Sequence, residues 1–172
     1  MKSKWLWIVI LGVAGVAAYG GVALATTPAG VTTTVFGVGR FEHIDTKAKT
    51  AINPGQSHDF WEAALKTNRT SDVHVLQNVI TPGGTFGWHS HPGPSLVIVK
   101  SGTATFYMGD PGCPKHVVQA GAGFVDGGND LHVVRNEGKV DLVTVVVSII
   151  PTGFTRRIDK PAPAECPDLQ NG

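Results

Sequence analysis

The chain has 172 residues, 16% of them charged, with 22 Gly and 11 Pro. That length can bury a core as one domain, and the composition suits short strands and turns rather than long charged helices. The formal net charge is +1, and without Lys2 and Lys4 the 14 basic residues fall to 12 against 13 acidic ones; so neutral a chain, lacking a basic cluster, argues against nucleic acid as the partner.

Residues 1–25 read as a signal peptide. "MKSK" is a positive start, "WLWIVILGVAGVAAYGGV" is apolar, and "ALA" supplies small residues for cleavage after Ala25. A membrane anchor is the alternative, because the stretch from Trp5 to Leu24 is uncharged and long enough to span a bilayer. Either way the folded domain is expected to be secreted or otherwise extracytoplasmic.

Residues 26–71 read as an N-terminal strand and a connecting segment. "VTTTVFGVGRFEHI" is the strand, a polar irregular stretch runs to about residue 57, and "HDFWEAALKTN" is expected to form one short helix with Phe60, Ala64 and Leu65 on one face. Asn68 opens an Asn-Arg-Thr glycosylation sequon. Residues 72–150 are all-β in pattern: "DVHVLQNVI", "SLVIVK", "TATFYM", "HVVQA", "LHVVRN" and "DLVTVVVSII" are separated by Gly/Pro/Asn-rich turns. Such spacing predicts a sandwich or barrel. "DLVTVVVSII" has little polar alternation and is expected to be buried on both faces. Residues 151–172 form a Pro-rich tail. The two cysteines, Cys113 and Cys166, are expected to pair in an oxidising compartment and tie this tail to the "GDPGCPK" loop.

Histidines carry the chemistry. His89 and His91 stand two residues apart in "GWHSHPGPSLVIVKSG", so on a strand both imidazoles leave from one face and can chelate one ion. Trp88 and Ser90 face the other way, and Trp88 is expected in the core or against another subunit. His132 lies in a second segment, "GAGFVDGGNDLHVVRN". His74 reads as a strand histidine with a hydrogen-bond partner, and His43, His58 and His116 as surface residues. Asn136 is expected to cap the turn before "EGK".

Together the two segments resemble the two-part signature of the cupin superfamily. His89, His91, Gly102, Gly121, His132 and Asn136 fall at matching offsets, and Gly84 stands before His89. The resemblance implies a double-stranded jelly-roll β-barrel whose interior holds a divalent metal ion, Fe, Mn, Zn or Ni, on His89, His91 and His132. It also implies a homodimer. Two positions depart from the pattern. Gly127 and Asn129 replace Pro-x-Gly, a turn-level change, and Ser95 stands where the family has a glutamate ligand. Gln77, Tyr107 and Asp126 are candidates to line the pocket with Ser95 or to replace that carboxylate. Three neutral imidazoles would leave the ion its full charge and open positions, which favours a small anionic molecule as ligand. The expectation is a metalloenzyme of oxygenase, isomerase or lyase type; a non-catalytic metal-dependent or metal-free small-molecule binder is the alternative.

Overall fold

The computed structural model describes residues 25–53, 55 and 59–169. The signal or anchor segment before Ala25, and His58, lie outside the described residues. Among the described residues twelve strands follow one another: β1 (Ala29–Phe41), β2 (Asp45–Ala51), β3 (Phe60–Lys66), β4 (Ser71–Thr85), β5 (His89–Ser90), β6 (Ser95–Ser101), β7 (Thr103–Met108), β8 (Lys115–Gln119), β9 (Gly123–Asp126), β10 (His132–Arg135), β11 (Leu142–Pro151) and β12 (Ile158–Asp159). Ten of them form one sheet in the order β12-β5-β10-β4-β11-β6-β9, with β1 on β4, β7 on β10 and β8 on β7. It curls into a nearly closed jelly-roll barrel, the all-β architecture expected of the cupin pattern.

The long strand β4 organises the barrel. It pairs antiparallel with β1 from Phe41↔Ser71 to Ala29↔Thr85 and with β11 from Pro151↔Ser71 to Leu142↔Ile80. β11 corrects the sequence reading. Leu142, Thr144, Val146, Ser148 and Ile150 are buried, while Val143, Val145, Val147 and Ile149 are only half-buried. One face is therefore interior despite the run of valines, and two of its five side chains are hydroxyls. An apolar outer face hid the alternation.

The expected helix is a strand. β3 pairs along its whole length with β2, from Asp45↔Lys66 to Ala51↔Phe60, so the stretch read as irregular is its hairpin partner. Seven residues are too few for a stable isolated helix. As a strand they gain cross-strand partners: Lys47 bridges Glu62 at 2.7 Å, and the Lys49 ammonium sits 3.4 Å above the Phe60 ring.

Two apolar clusters fill the interior. Ile80, Val99, Ala104, Phe106, Val134 and Leu142 form the larger. Trp88, Val133 and Cys166 form a second under the tail, where the Trp88 indole N–H donates to the Leu169 carbonyl at 2.9 Å. The tail is further fixed by β12 on β5 and by the Cys113–Cys166 disulfide, whose Cα atoms are 5.8 Å apart. At Gly102, a glycine of the first motif, φ is +75° and a Cβ would lie 2.6 Å from the Asp141 carbonyl. Only glycine fits that turn.

Candidate metal centre

β5 and β10 bring the histidines together. His89 pairs directly with His132 across these strands, and His91 follows β5 by one residue. The three are 3%, 7% and 1% exposed. Their ring centroids lie 4.3 Å (His89–His132), 4.9 Å (His89–His91) and 5.3 Å (His91–His132) apart. One ring nitrogen of each falls within 4.8 Å of those of the other two.

Every Nδ1 is engaged by a backbone carbonyl. His89 meets Gly87 at 2.8 Å, His91 meets Arg156 at 2.6 Å and His132 meets Asp130 at 2.9 Å. A carbonyl can only accept, so each Nδ1 carries the ring proton and each Nε2 is left with a bare lone pair. Outer hydrogen bonds of this kind are how metal-ligating imidazoles are oriented. Burial also pushes all three below the ordinary histidine range. For His89, the neighbouring His132 and Arg157 charges push further in the same direction. Neutral, oriented imidazoles are the protonation state a metal needs. The donor set therefore fits a divalent ion.

The site opens on a cavity of about 50 Å³, above the roughly 10–15 Å³ needed to admit a water-sized group. Of the sequence candidates, Ser95 and Asp126 line it; Gln77 and Tyr107 do not. Parity explains both misses. Asn78, not Gln77, points inward from β4, where its amide donates to Thr144 at 3.3 Å. Tyr107 pairs with Val133 rather than His132, so it leaves from the other face and donates to Glu137 at 2.7 Å. Ser95 is 3% exposed, its hydroxyl 2.6 Å from that of Ser148. Asp126 is 4% exposed, with Oδ2 at 3.2 Å from His91 Nε2 and 3.4 Å from His132 Nε2.

Trp88 is fully buried behind the site. Asn136 caps its turn as expected, accepting from the Gly138 N–H at 3.0 Å and donating to Ile80 and Val140. His74 is half-buried on β4, and His43 and His116 are exposed.

Two arginines were not anticipated. Arg156 and Arg157, from the tail, both line the cavity. Arg157 donates to the Phe86 carbonyl and to Asp159 Oδ1, each at 2.5 Å, while its Nη1 is buried without a partner. The adjacent arginines of "TGFTRRIDK" were the available signal; their fold-back onto β5 was not.

A sequence profile described as "Cupin domain" matches residues 78–148. Solved structures similar to this chain include a conserved protein of unknown function from Streptococcus pyogenes (20% identity, TM-score 0.42, covering 47% of this chain and 67% of that one). An oxalate oxidase in complex with the substrate analogue glycolate shares 29% identity at TM-score 0.40, covering 44% of this chain and 41% of its own. A cupin superfamily protein from Desulfitobacterium hafniense shares 12% identity at TM-score 0.41, over 61% and 78%. The chain thus spans well under half the length of the oxalate oxidase. No curated protein matches.

Proposed function

We propose, from the premise that residues 78–148 form a cupin domain, that this chain is an extracytoplasmic metalloenzyme. In this reading it holds a divalent ion on His89, His91 and His132 and acts on a small anionic molecule beside it. The observation that carries the reading is the uniform Nδ1-to-carbonyl arrangement, which turns three bare Nε2 atoms into one cavity. All-nitrogen donation suits iron, nickel or zinc, and manganese where a carboxylate joins it. Such an ion supplies Lewis acidity or, if redox-active, electron transfer, which is the chemistry of oxygenase, isomerase and lyase reactions.

The protein's own groups supply the rest. Arg156 and Arg157 place two guanidinium charges at the cavity, and the unpartnered Nη1 of Arg157 is a donor for a carboxylate or similar anion. Phe86, Phe106 and Phe124 wall the cavity and keep water from competing for those contacts. The disulfide supports the extracytoplasmic placement. The free edge of β1, with Val35, Phe36 and Val38 exposed, supports a homodimer paired there.

One observation favours a metal-dependent binder without turnover. Beyond the histidines and arginines, Asp126 is the only titratable side chain among the described residues that line the cavity, which leaves a single carboxylate for any proton transfer. Elemental analysis of the mature protein and of His132→Ala tests the metal site. About one ion per chain is expected in the parent and none in the variant, and equal content in both would sink the reading. Titration of the loaded protein with acetate, glycolate and oxalate, followed by a turnover assay on whichever binds, separates enzyme from binder.

A further inference from the structure

We infer that Asp126 is the fourth metal ligand of this centre, supplying from β9 the carboxylate that a glutamate at position 95 on β6 would otherwise provide. The inference rests on the proposed metal site and assigns its missing oxygen donor.

Register is the first argument. Ser95 and Asp126 are direct partners across β6 and β9. Directly opposed residues leave the same face with Cβ atoms about 4.5–5.5 Å apart, so a carboxylate absent from one position can be restored from the other. Both residues are buried against the same cavity. The Ser95 hydroxyl is hydrogen-bonded to Ser148 and, being neutral, does not supply the missing carboxylate charge.

Spacing is the second. Oδ2 of Asp126 lies 3.2 Å from one Nε2 and 3.4 Å from another. With the ring protons on Nδ1, these are lone pairs facing a carboxylate oxygen, an arrangement that repels unless a cation joins them. Ligand atoms bonded at about 2.1 Å to one ion stand roughly 3.0 Å apart at right angles and 3.4 Å apart at the tetrahedral angle. The distances from Oδ2 to the His91 and His132 nitrogens fall within that range.

Accounting for the carboxylate is the third. A charge this buried needs strong compensation. Oδ1 accepts the Gly128 N–H at 3.0 Å, and Oδ2 has only the two imidazoles. The turn that holds Asp126 is latched to the site: the Asn129 N–H donates to the His91 carbonyl at 2.7 Å. Oδ2 is thereby held in place by the segment His89–His91, which carries two of the three histidines.

The test uses Asp126→Asn and the exchange variant Ser95→Glu/Asp126→Ser, with zinc and cobalt(II) affinity read by chelator competition. Asparagine keeps an acceptor for Gly128 but removes the anionic donor. Its affinity is expected to fall by more than the roughly 10–100-fold that loss of an outer hydrogen-bond partner costs, and cobalt(II) bound to it should show shifted visible bands. The exchange variant, which returns a carboxylate at position 95, is expected to hold metal much more tightly than Asp126→Asn. It also decides the matter if Asp126→Asn does not fold. Unchanged affinity in Asp126→Asn, or no recovery on exchange, overturns the inference. If His132→Ala still loses its metal in those cases, the three-histidine site stands without Asp126; a parent protein that binds no metal removes the underlying site instead.

Discussion

Removing the disulfide should loosen the whole domain while leaving the metal centre nearly intact. Cys113 and Cys166 are 53 residues apart, and the chain-entropy relation assigns a loop of that size about 4 kcal/mol. A domain of this size loses roughly 2–4 °C of Tm per kcal/mol, so the Cys113→Ser/Cys166→Ser variant should melt about 8–16 °C below the parent. The tail keeps other anchors. β12 stays on β5, the Lys160 N–H donates to the Trp88 carbonyl at 3.0 Å, and Arg157 still reaches Phe86. The Arg156 carbonyl that orients His91 lies on the site's side of those anchors, so metal affinity should change less than about tenfold, the lower end of an outer-partner loss. Thermal melting of both proteins, paired with chelator competition, reads the two effects separately. Two free thiols in the oxidised parent, or a Tm fall under about 2 °C, would falsify the loop-closure reasoning. A large loss of metal with a small loss of stability would instead show the bridge acting on the site.

Further outcomes follow from the same geometry. The metal-free protein should lose stability in mild acid: its histidines are held below their unfolded value near 6.5, so their contribution is complete above that pH. As pH falls below about 6.5 the unfolded chain gains protons the folded one refuses, at up to about 1.4 kcal/mol per pH unit for each histidine; urea midpoints at pH 7.5 and 5.5 that coincide would refute this. Gly128→Ala meets a φ of +80° and places a Cβ 2.8 Å from the Gly93 backbone, so a destabilisation of at least about 1–2 kcal/mol is expected in chemical unfolding. Gly128→Asn, which tolerates that φ but not the contact, should be no better. Arg157→Gln should weaken acetate, glycolate or oxalate binding by about tenfold or more, with metal content unchanged by elemental analysis. Loss of both together would mean that Arg157 props up the metal centre and is not an anion contact.

Much of the barrel was legible because strands advertise themselves locally. β-branched runs between Gly/Pro turns marked β4, β6, β7, β8, β10 and β11, and period-two alternation placed His89 and His91 on one face before any tertiary contact was known. The reading failed where local pattern has two solutions. "FWEAALK" contains good helix formers, yet its β2 partner across the hairpin decided for a strand. Gln77 and Asn78 are neighbours of similar chemistry, and only the register of β4 against β11 shows which one turns inward. β11 looked buried on both faces because its outward side is apolar, while Thr144 and Ser148, its polar members, face the interior.

From the chain alone came the all-β class, the cupin-like pairing of motifs, the three histidines and the partner cysteines, since each is carried by residue type and spacing over short distances. Folding alone decided what meets those histidines. The Arg156 carbonyl reaches His91 from 65 residues away, and the carboxylate of Asp126 arrives opposite Ser95 through the β6–β9 register. Such encounters depend on how strands are ordered and staggered in the closed sheet, and a one-residue slip would turn every one of these side chains to the other face. No local pattern encodes that stagger, because it is set by the packing of the whole barrel at once.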